Sequence, residues 1–289
     1  MKNKSFAIIG GDRRSYELAK LLLEKGHRIN LYGFKKLNLD NKIEEAQSIK
    51  LALKDVDVVI TPIPITRDKI NINAPYHESD IPIEEVFKNM NKNQLLIGGS
   101  TSVCVELKDH YHIRVYDIMD REEMAVLNAI PTAEGALQIA LEQTDITLHG
   151  SDTMVLGFGR IGKVMAKILS GMGSNVYVLA RKHSDISWIK SYGYKAIYIF
   201  DLKEKLPNMD VIFNTIPKNI INEELLKLID PKTLIIDLAS MPGGIDYNAA
   251  DKMDIKVVHA LGLPGKVAPV SSARFMLDSI YNIIEELGV

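Results

Sequence analysis

A glycine triplet between a short apolar run and a helical pattern constrains this chain more than any other feature. Met154-Val155-Leu156 runs into Gly157-Phe158-Gly159-Arg160-Ile161-Gly162. Ile161, Val164, Met165, Ile168 and Leu169 then recur at helical spacing until Gly171 and Gly173 stop the helix, and Val176 to Leu179 reads as a second strand. Alone, a GxGxxG is a weak signal. Between a strand and a helix that leads into a further strand, it specifies a dinucleotide-binding turn. Gly157 allows the tight turn and Gly159 lets a pyrophosphate approach the backbone. Gly162 lets the helix pack on the strand, while the helix start at Arg160 and Ile161 offers N–H groups to an anion.

The end of the second strand selects the cofactor. It reads Leu179-Ala180-Arg181-Lys182-His183-Ser184, with no acid where an NAD site places one for the ribose hydroxyls. Arg181 can grip a 2′-phosphate with its planar fork, Lys182 adds charge and Ser184 can donate a hydrogen bond. NADP is the expectation, with NAD the alternative if Arg181 stacks on the adenine instead. Ligands of open α/β sheets lie beyond the carboxyl ends of the strands. This adds Asn214, Thr215, Ile216 and Pro217 from one strand end, and Leu238, Ala239 and Ser240 from the next. Pro264 and Lys266, in the loop Gly262 to Pro269, complete the cofactor set.

Strand–helix alternation runs through both halves. Strands are expected near 5–9, 28–32, 56–60, 94–98 and 113–116, then near 153–157, 175–179, 196–199, 211–214, 233–237 and 256–259. The fold class is α/β, with two doubly wound parallel-sheet domains, the N-terminal one flavodoxin-like and the C-terminal one Rossmann. An inter-domain helix joins them. The expected domains are 1–130 for substrate, 131–150 for the link and 151–270 for NAD(P). The link is read as a helix from about Thr132 to Gln143, opened by Pro131 with Thr132 as a cap. An amphipathic tail, 271–289, is expected to pack back on the first domain. The 289 residues suit two domains, and 46% hydrophobic with 25% charged residues suits a sizeable core.

Composition excludes more than it identifies. A formal charge of -2 gives no basic field for nucleic acid or an anionic membrane. A single cysteine, Cys104, fits a reducing compartment and reads as buried, and neither a signal peptide nor a membrane span is expected. Cytoplasmic location follows as the expectation. His110 and His112 lack companions for a metal site, so no metal is predicted. Met165, Met172 and Trp188 read as packing residues.

Several segments together carry a specific resemblance. They are Ile9-Gly10-Gly11-Asp12 with Arg14, Asn128 to Gly135, His149-Gly150-Ser151, the Gly157 fingerprint and Asn214 to Pro217. Asp237 to Ser240, Pro242-Gly243-Gly244 and Gly262 to Pro269 extend it. The chain resembles the dipicolinate synthase A subunit of spore-forming bacteria over essentially its whole length, least so from Ile63 to Lys92. The resemblance implies the nicotinamide-dependent oxidoreductase component of that enzyme. With a flavoprotein B subunit that carries FMN, it would oxidise a dihydrodipicolinate-type intermediate of the lysine branch to dipicolinate (pyridine-2,6-dicarboxylate) during sporulation. It also implies the mother-cell cytoplasm; homo-oligomerisation stays open.

A dicarboxylate substrate calls for fixed donors. Gly11, Asp12 and Arg14 open the first helix, where backbone N–H groups and a guanidinium could hold one carboxylate. The competing reading pairs Arg14 with Asp12. Gly98-Gly99-Ser100-Thr101-Ser102 offers a nest of hydroxyls and amides, and Thr61 ends the neighbouring strand. The following Thr66 to Pro82 reads as a lid or as a disordered surface loop. Arg121 is a further candidate, against an ion pair with adjacent acids. Thr132 and Glu134 start the linking helix, and Glu134 is the candidate for taking the ring proton lost on aromatisation.

Two alternatives differ in class. A 2-hydroxyacid dehydrogenase would place an arginine in the loop that here reads Ala239-Ser240-Met241-Pro242-Gly243 and a histidine near the last strand. The loop has no arginine and His259 is embedded in an apparent strand, so that reading loses its chemistry. The other is a non-catalytic NADP-binding protein with a regulatory or scaffolding role. Arg181→Asp is expected to weaken NADP binding far more than NAD binding in a calorimetric titration. Equal losses would sink the 2′-phosphate assignment.

Overall fold

The computed structural model describes residues 4–40, 43 and 45–288. They form two compact units, one running to Asn128 and resuming at Ala268, the other Ala129–Val267. The first unit contains β1 (Ser5–Ile9), β2 (Arg28–Tyr32), β3 (Val58–Ile60), β4 (Leu95–Gly98) and β5 (Arg114–Asp117). These make a parallel five-stranded sheet in the order β2-β1-β3-β4-β5, the flavodoxin-like arrangement. The second holds β6 (Asp152–Leu156), β7 (Asn175–Leu179), β8 (Lys195–Ile197), β9 (Val211–Asn214), β10 (Leu234–Asp237) and β11 (Val257–His259). Its order, β11-β10-β9-β6-β7-β8, is the doubly wound Rossmann arrangement, again all parallel.

Strands buried on both faces explain the unbroken apolar runs. In β9 and β10 every residue is buried, including the terminal Asn214 and Asp237. Alternate residues serve opposite faces: Val155, Phe213 and Ile236 enter one core, and Met154, Leu156, Ile212 and Ile235 the other. In the first unit Phe6 and Ile8 divide from Ala7 and Ile9 in the same way.

The helix Pro269–Leu287 packs along the helix Arg13–Glu24 of the first unit. Its Ala273, Met276, Leu277, Ile280, Ile283 and Ile284 share one core with Leu18, Ala19 and Leu22. Each fully buried Leu or Ile side chain contributes about 1.5–3 kcal/mol, so this helix is a large part of that unit's stability.

Three expectations need correction. The linking helix begins at Glu122, not near Thr132, and runs to Gln143 with Pro131 inside it. Burial of Met124 in the first core and of Ala133, Ala136 and Ala140 in the second outweighs the hydrogen bond that proline forfeits. Thr132 is therefore buried within the helix and is no cap. The Thr66 to Pro82 segment is folded: Ile72 and Ile81 are buried and bond backbone to backbone, and Asn73 accepts from the Gly11 N–H at 2.9 Å. Trp188 is 56% exposed and stacked on Tyr192, so it does not pack in the core.

His27 joins the start of the chain to its last helix. Its Nδ1 accepts from the Lys4 N–H at 3.2 Å, its Nε2 lies 2.8 Å from the Tyr281 hydroxyl, and Phe6 meets the ring edge-on. Burial lowers its pKa below the ordinary 6.5, and the backbone N–H on Nδ1 belongs to the neutral ring. As pH falls below about 6.5, the unfolded chain takes up a proton that the folded chain refuses, so stability drops until the lowered pKa is reached. Urea midpoints between about pH 8 and about pH 5 should fall less steeply for His27→Gln than for wild type. Parallel curves would show that His27 carries none of the acid sensitivity.

Candidate functional site

The three fingerprint glycines meet different surroundings. Gly157 follows β6 with φ +99°, and a Cβ there would lie 2.6 Å from Thr215 Oγ1 and 3.0 Å from Ile216. A Cβ on Gly162 would overlap the Gly157 carbonyl oxygen. Gly159 faces open space within 4 Å and is the extended N-cap of the helix Arg160–Gly171. No side chain caps that helix, and Gly159 and Arg160 are exposed beside half-buried Ile161. An anion-binding turn needs this combination: backbone closed beneath, donors open above. The turn stands at the switch point between β6 and β9, where Thr215 bonds the Leu156 carbonyl through its N–H at 3.0 Å and its hydroxyl at 2.8 Å.

Arg181, Lys182 and Ser184 are exposed where β7 ends. Lys182 is the N-cap of the helix His183–Ser191, which also lacks a side-chain cap, with Asp185 in its first turn. On the far side of β6, Ile216 and Thr215 are half-buried and Pro217 exposed. Ser240 is exposed, whereas Leu238 and Ala239 are buried. Pro264 is buried and Lys266 exposed in the helix Leu263–Val267, and Leu263 packs within 3.0 Å of the place a Gly135 Cβ would occupy.

Asn214, expected to line the cofactor, is fully buried and spent on the chain itself. Its Nδ2 donates to Ile216 O at 3.1 Å and to Asp237 Oδ1 at 2.8 Å, and its Oδ1 accepts from the Ile216 N–H. Sequence reasoning missed its partner. Asp237 is fully buried and also accepts from the N–H groups of Ala239 and Gly244 and from the Tyr247 hydroxyl. The available signal was a lone acid ending the apolar run Leu234-Ile235-Ile236, in a loop that closes on the pair Gly243-Gly244.

Several of the substrate donors expected in the first unit are engaged within the chain. Asp12 caps the first helix through the Arg14 N–H, and its carboxylate takes Arg14 Nε at 2.9 Å and Nη2 at 2.8 Å. Arg14 Nη2 also donates to Ile63 O at 2.6 Å, and the side chain is buried. The Gly11 N–H is taken by the Asn73 carbonyl, and a Cβ on Gly11 would overlap Ser15. Thr61 is buried. The Ser100–Thr101 nest does bind a carboxylate, but it is Asp117: the two N–H groups donate at 3.1 and 2.6 Å and the Thr101 hydroxyl at 3.1 Å. Ser102 is exposed.

Arg121 forms a fork on Glu286 at 2.6 and 2.7 Å and meets Glu123 at 2.7 Å, and these partners push its pKa further up. Glu134 is exposed on its helix. Cys104 is buried, and its thiol is pushed up to about 11, first by burial and then by Asp117.

Comparison with known proteins matches this architecture. Residues 5–119 fit the profile of the N-terminal domain of the dipicolinate synthase A subunit. Residues 132–242 fit that of the D-isomer specific 2-hydroxyacid dehydrogenase NAD-binding domain. The dipicolinate synthase A subunit of Bacillus subtilis (strain 168) is 32% identical over 286 residues, spanning 97% of this chain and 96% of its own. The crystal structure of the Bacillus halodurans A subunit superposes with a TM-score of 0.90 at 30% identity over 97% of both chains. That of the Bacillus subtilis A chain gives 0.88 at 30% identity over 100% of this chain and 98% of its own. Similarity of this extent, on two doubly wound sheets with a Rossmann fingerprint in the second, places the chain in the family of dipicolinate synthase A subunits.

Proposed function

We propose that the chain is the nicotinamide-dependent oxidoreductase component of a dipicolinate synthase, oxidising a dihydrodipicolinate-type intermediate to dipicolinate, with NADP as its cofactor. The observation that carries this reading is the open, uncapped turn at Gly159 between two glycines whose Cβ positions are blocked. The N–H groups at the start of the Arg160–Gly171 helix would hold the pyrophosphate. Arg181, Lys182 and Ser184 would hold a 2′-phosphate, supported by the uncapped helix that begins beside them. Thr215 to Pro217 and Ser240 would border the rest of the dinucleotide. When bound, the nicotinamide supplies a hydride acceptor.

Aromatising the ring also needs a proton acceptor, and exposed Glu134 is the proposed group. The substrate's carboxylates would meet donors other than Arg14 and Arg121, whose guanidiniums are held by Asp12 and Glu286. The lettered naming of the relatives supports a partner, proposed as a flavoprotein B subunit with FMN in the mother-cell cytoplasm. The engagement of those same arginines favours one second reading, a non-catalytic NADP-binding subunit that acts on the flavoprotein.

Two substitutions test the cofactor assignment. Gly159→Ala should leave thermal stability nearly unchanged while weakening NADP more than tenfold, roughly 1.4 kcal/mol or more. Gly162→Ala should lower the melting temperature by several degrees, because overpacking costs about 1–3 kcal/mol. Unchanged NADP binding in Gly159→Ala would overturn the assignment. Stopped-flow mixing of the purified chain, NADP and freshly made intermediate separates the two readings. NADPH formation without the flavoprotein supports the oxidoreductase; binding without reduction supports the regulatory role.

A further inference from the structure

One buried carboxylate ties together the ends of three strands in the second unit. Asp237, the last residue of β10, receives four hydrogen bonds from three places. Asn214 Nδ2, at the end of β9, donates at 2.8 Å, and the Tyr247 hydroxyl at 2.6 Å. The N–H groups of Ala239 and Gly244 donate at 3.0 and 2.7 Å, bracketing the exposed crest Ser240-Met241-Pro242. Tyr247 stacks on His259 at the end of β11, with ring centroids 5.3 Å apart, and His259 Nε2 lies 3.0 Å from Ala239 O. Gly243 and Gly244 cannot be replaced, because a Cβ on either would strike Tyr247 and Asp237 or Asn214 and Ile216.

Holding a loop shut does not require a buried charge, since apolar packing does so without the desolvation cost. What a fully satisfied carboxylate adds is direction: each donor is fixed at a set place. Those places matter because of strand order. Arg181 and Lys182 follow β7, the fingerprint follows β6, and β9 and β10 lie on the other side. A dinucleotide anchored by its phosphates over β6 and β7 would extend its nicotinamide half toward β9 and β10, which follow at about 4.8 Å per strand. The loops met there are the ones Asp237 holds.

We propose that Asp237 and Tyr247 are a positioning pair that fixes the loops after β9 and β10 for the nicotinamide half of the cofactor. Both lie on the other side of β6 from Arg181 and Lys182, the residues proposed for the adenylate half. The inference rests on the dinucleotide reading above, and the test separates the two. Tyr247→Phe keeps the ring stacked on His259 and removes only the donor to Asp237. Calorimetric titration with NADP+ and with 2′,5′-ADP, which lacks the nicotinamide half, compares variant and wild type. The expected result is a roughly tenfold loss for NADP+, about one hydrogen bond to a carboxylate, with 2′,5′-ADP unchanged.

Equal losses for both ligands would reveal a merely structural role, and no loss for either an idle contact; each overturns the pair. A wild-type chain that binds neither ligand overturns the dinucleotide reading and this inference together. If the chain takes NAD+ instead, NAD+ and AMP serve as the two ligands with the same expectation.

Discussion

The N–H groups at the start of a helix need an acceptor, and where the chain provides one it leaves nothing for a ligand. Both units repeat the same local plan, an apolar strand running into glycines and then a helix. In the first, Asp12 turns back as N-cap and holds Arg14 as well. At the end of β4, Asp117 does the same for Ser100 and Thr101. In the second, the cap position is Gly159, with no side chain to offer. Two turns are closed by the chain's own carboxylates, and no side chain caps the third. This difference of a few atoms divides the structural turns from the candidate cofactor turn.

The fold was legible because its signals are local. Parallel strands buried on both faces read as short apolar runs, and the helices between them carry the 3.6-residue period. The two sheets are those the alternation implied. What the sequence concealed depends on partners distant along the chain. Pro131 and Thr132 have the chemistry of a helix start, but burial of Met124 and Ala129 extends the helix through them. Isoleucines 65, 72 and 81, scattered among polar residues, pin a segment that read as loose. Asp117 is sixteen residues from Thr101, and nothing in the motif announces it as the occupant of that nest.

The candidate site divides along the same line. Gly157, Gly159 and Gly162 could each be given a job from spacing alone, because backbone geometry does not wait on tertiary context. Asn214 and Ala239, both expected to line the cofactor, are bonded to the chain's own Asp237. Both are buried, while the neighbouring Ser240 is exposed. Arg14 and Arg121 show the converse hazard. A guanidinium is a good carboxylate ligand, and the protein's own Asp12 and Glu286 are the carboxylates within reach.

The return of the Pro269–Leu287 helix to the first unit has a consequence in time. A ribosome delivers this chain from its N-terminus, so β1 to β5 emerge long before the residues that cover Leu18, Ala19 and Leu22. The second unit is continuous in sequence and can close as soon as Val267 has emerged. The first unit must hold an uncovered apolar helix face through the synthesis of its neighbour. The domain made first is thus completed last, and until then the apolar Arg13–Glu24 face is open to chaperones or to misassociation.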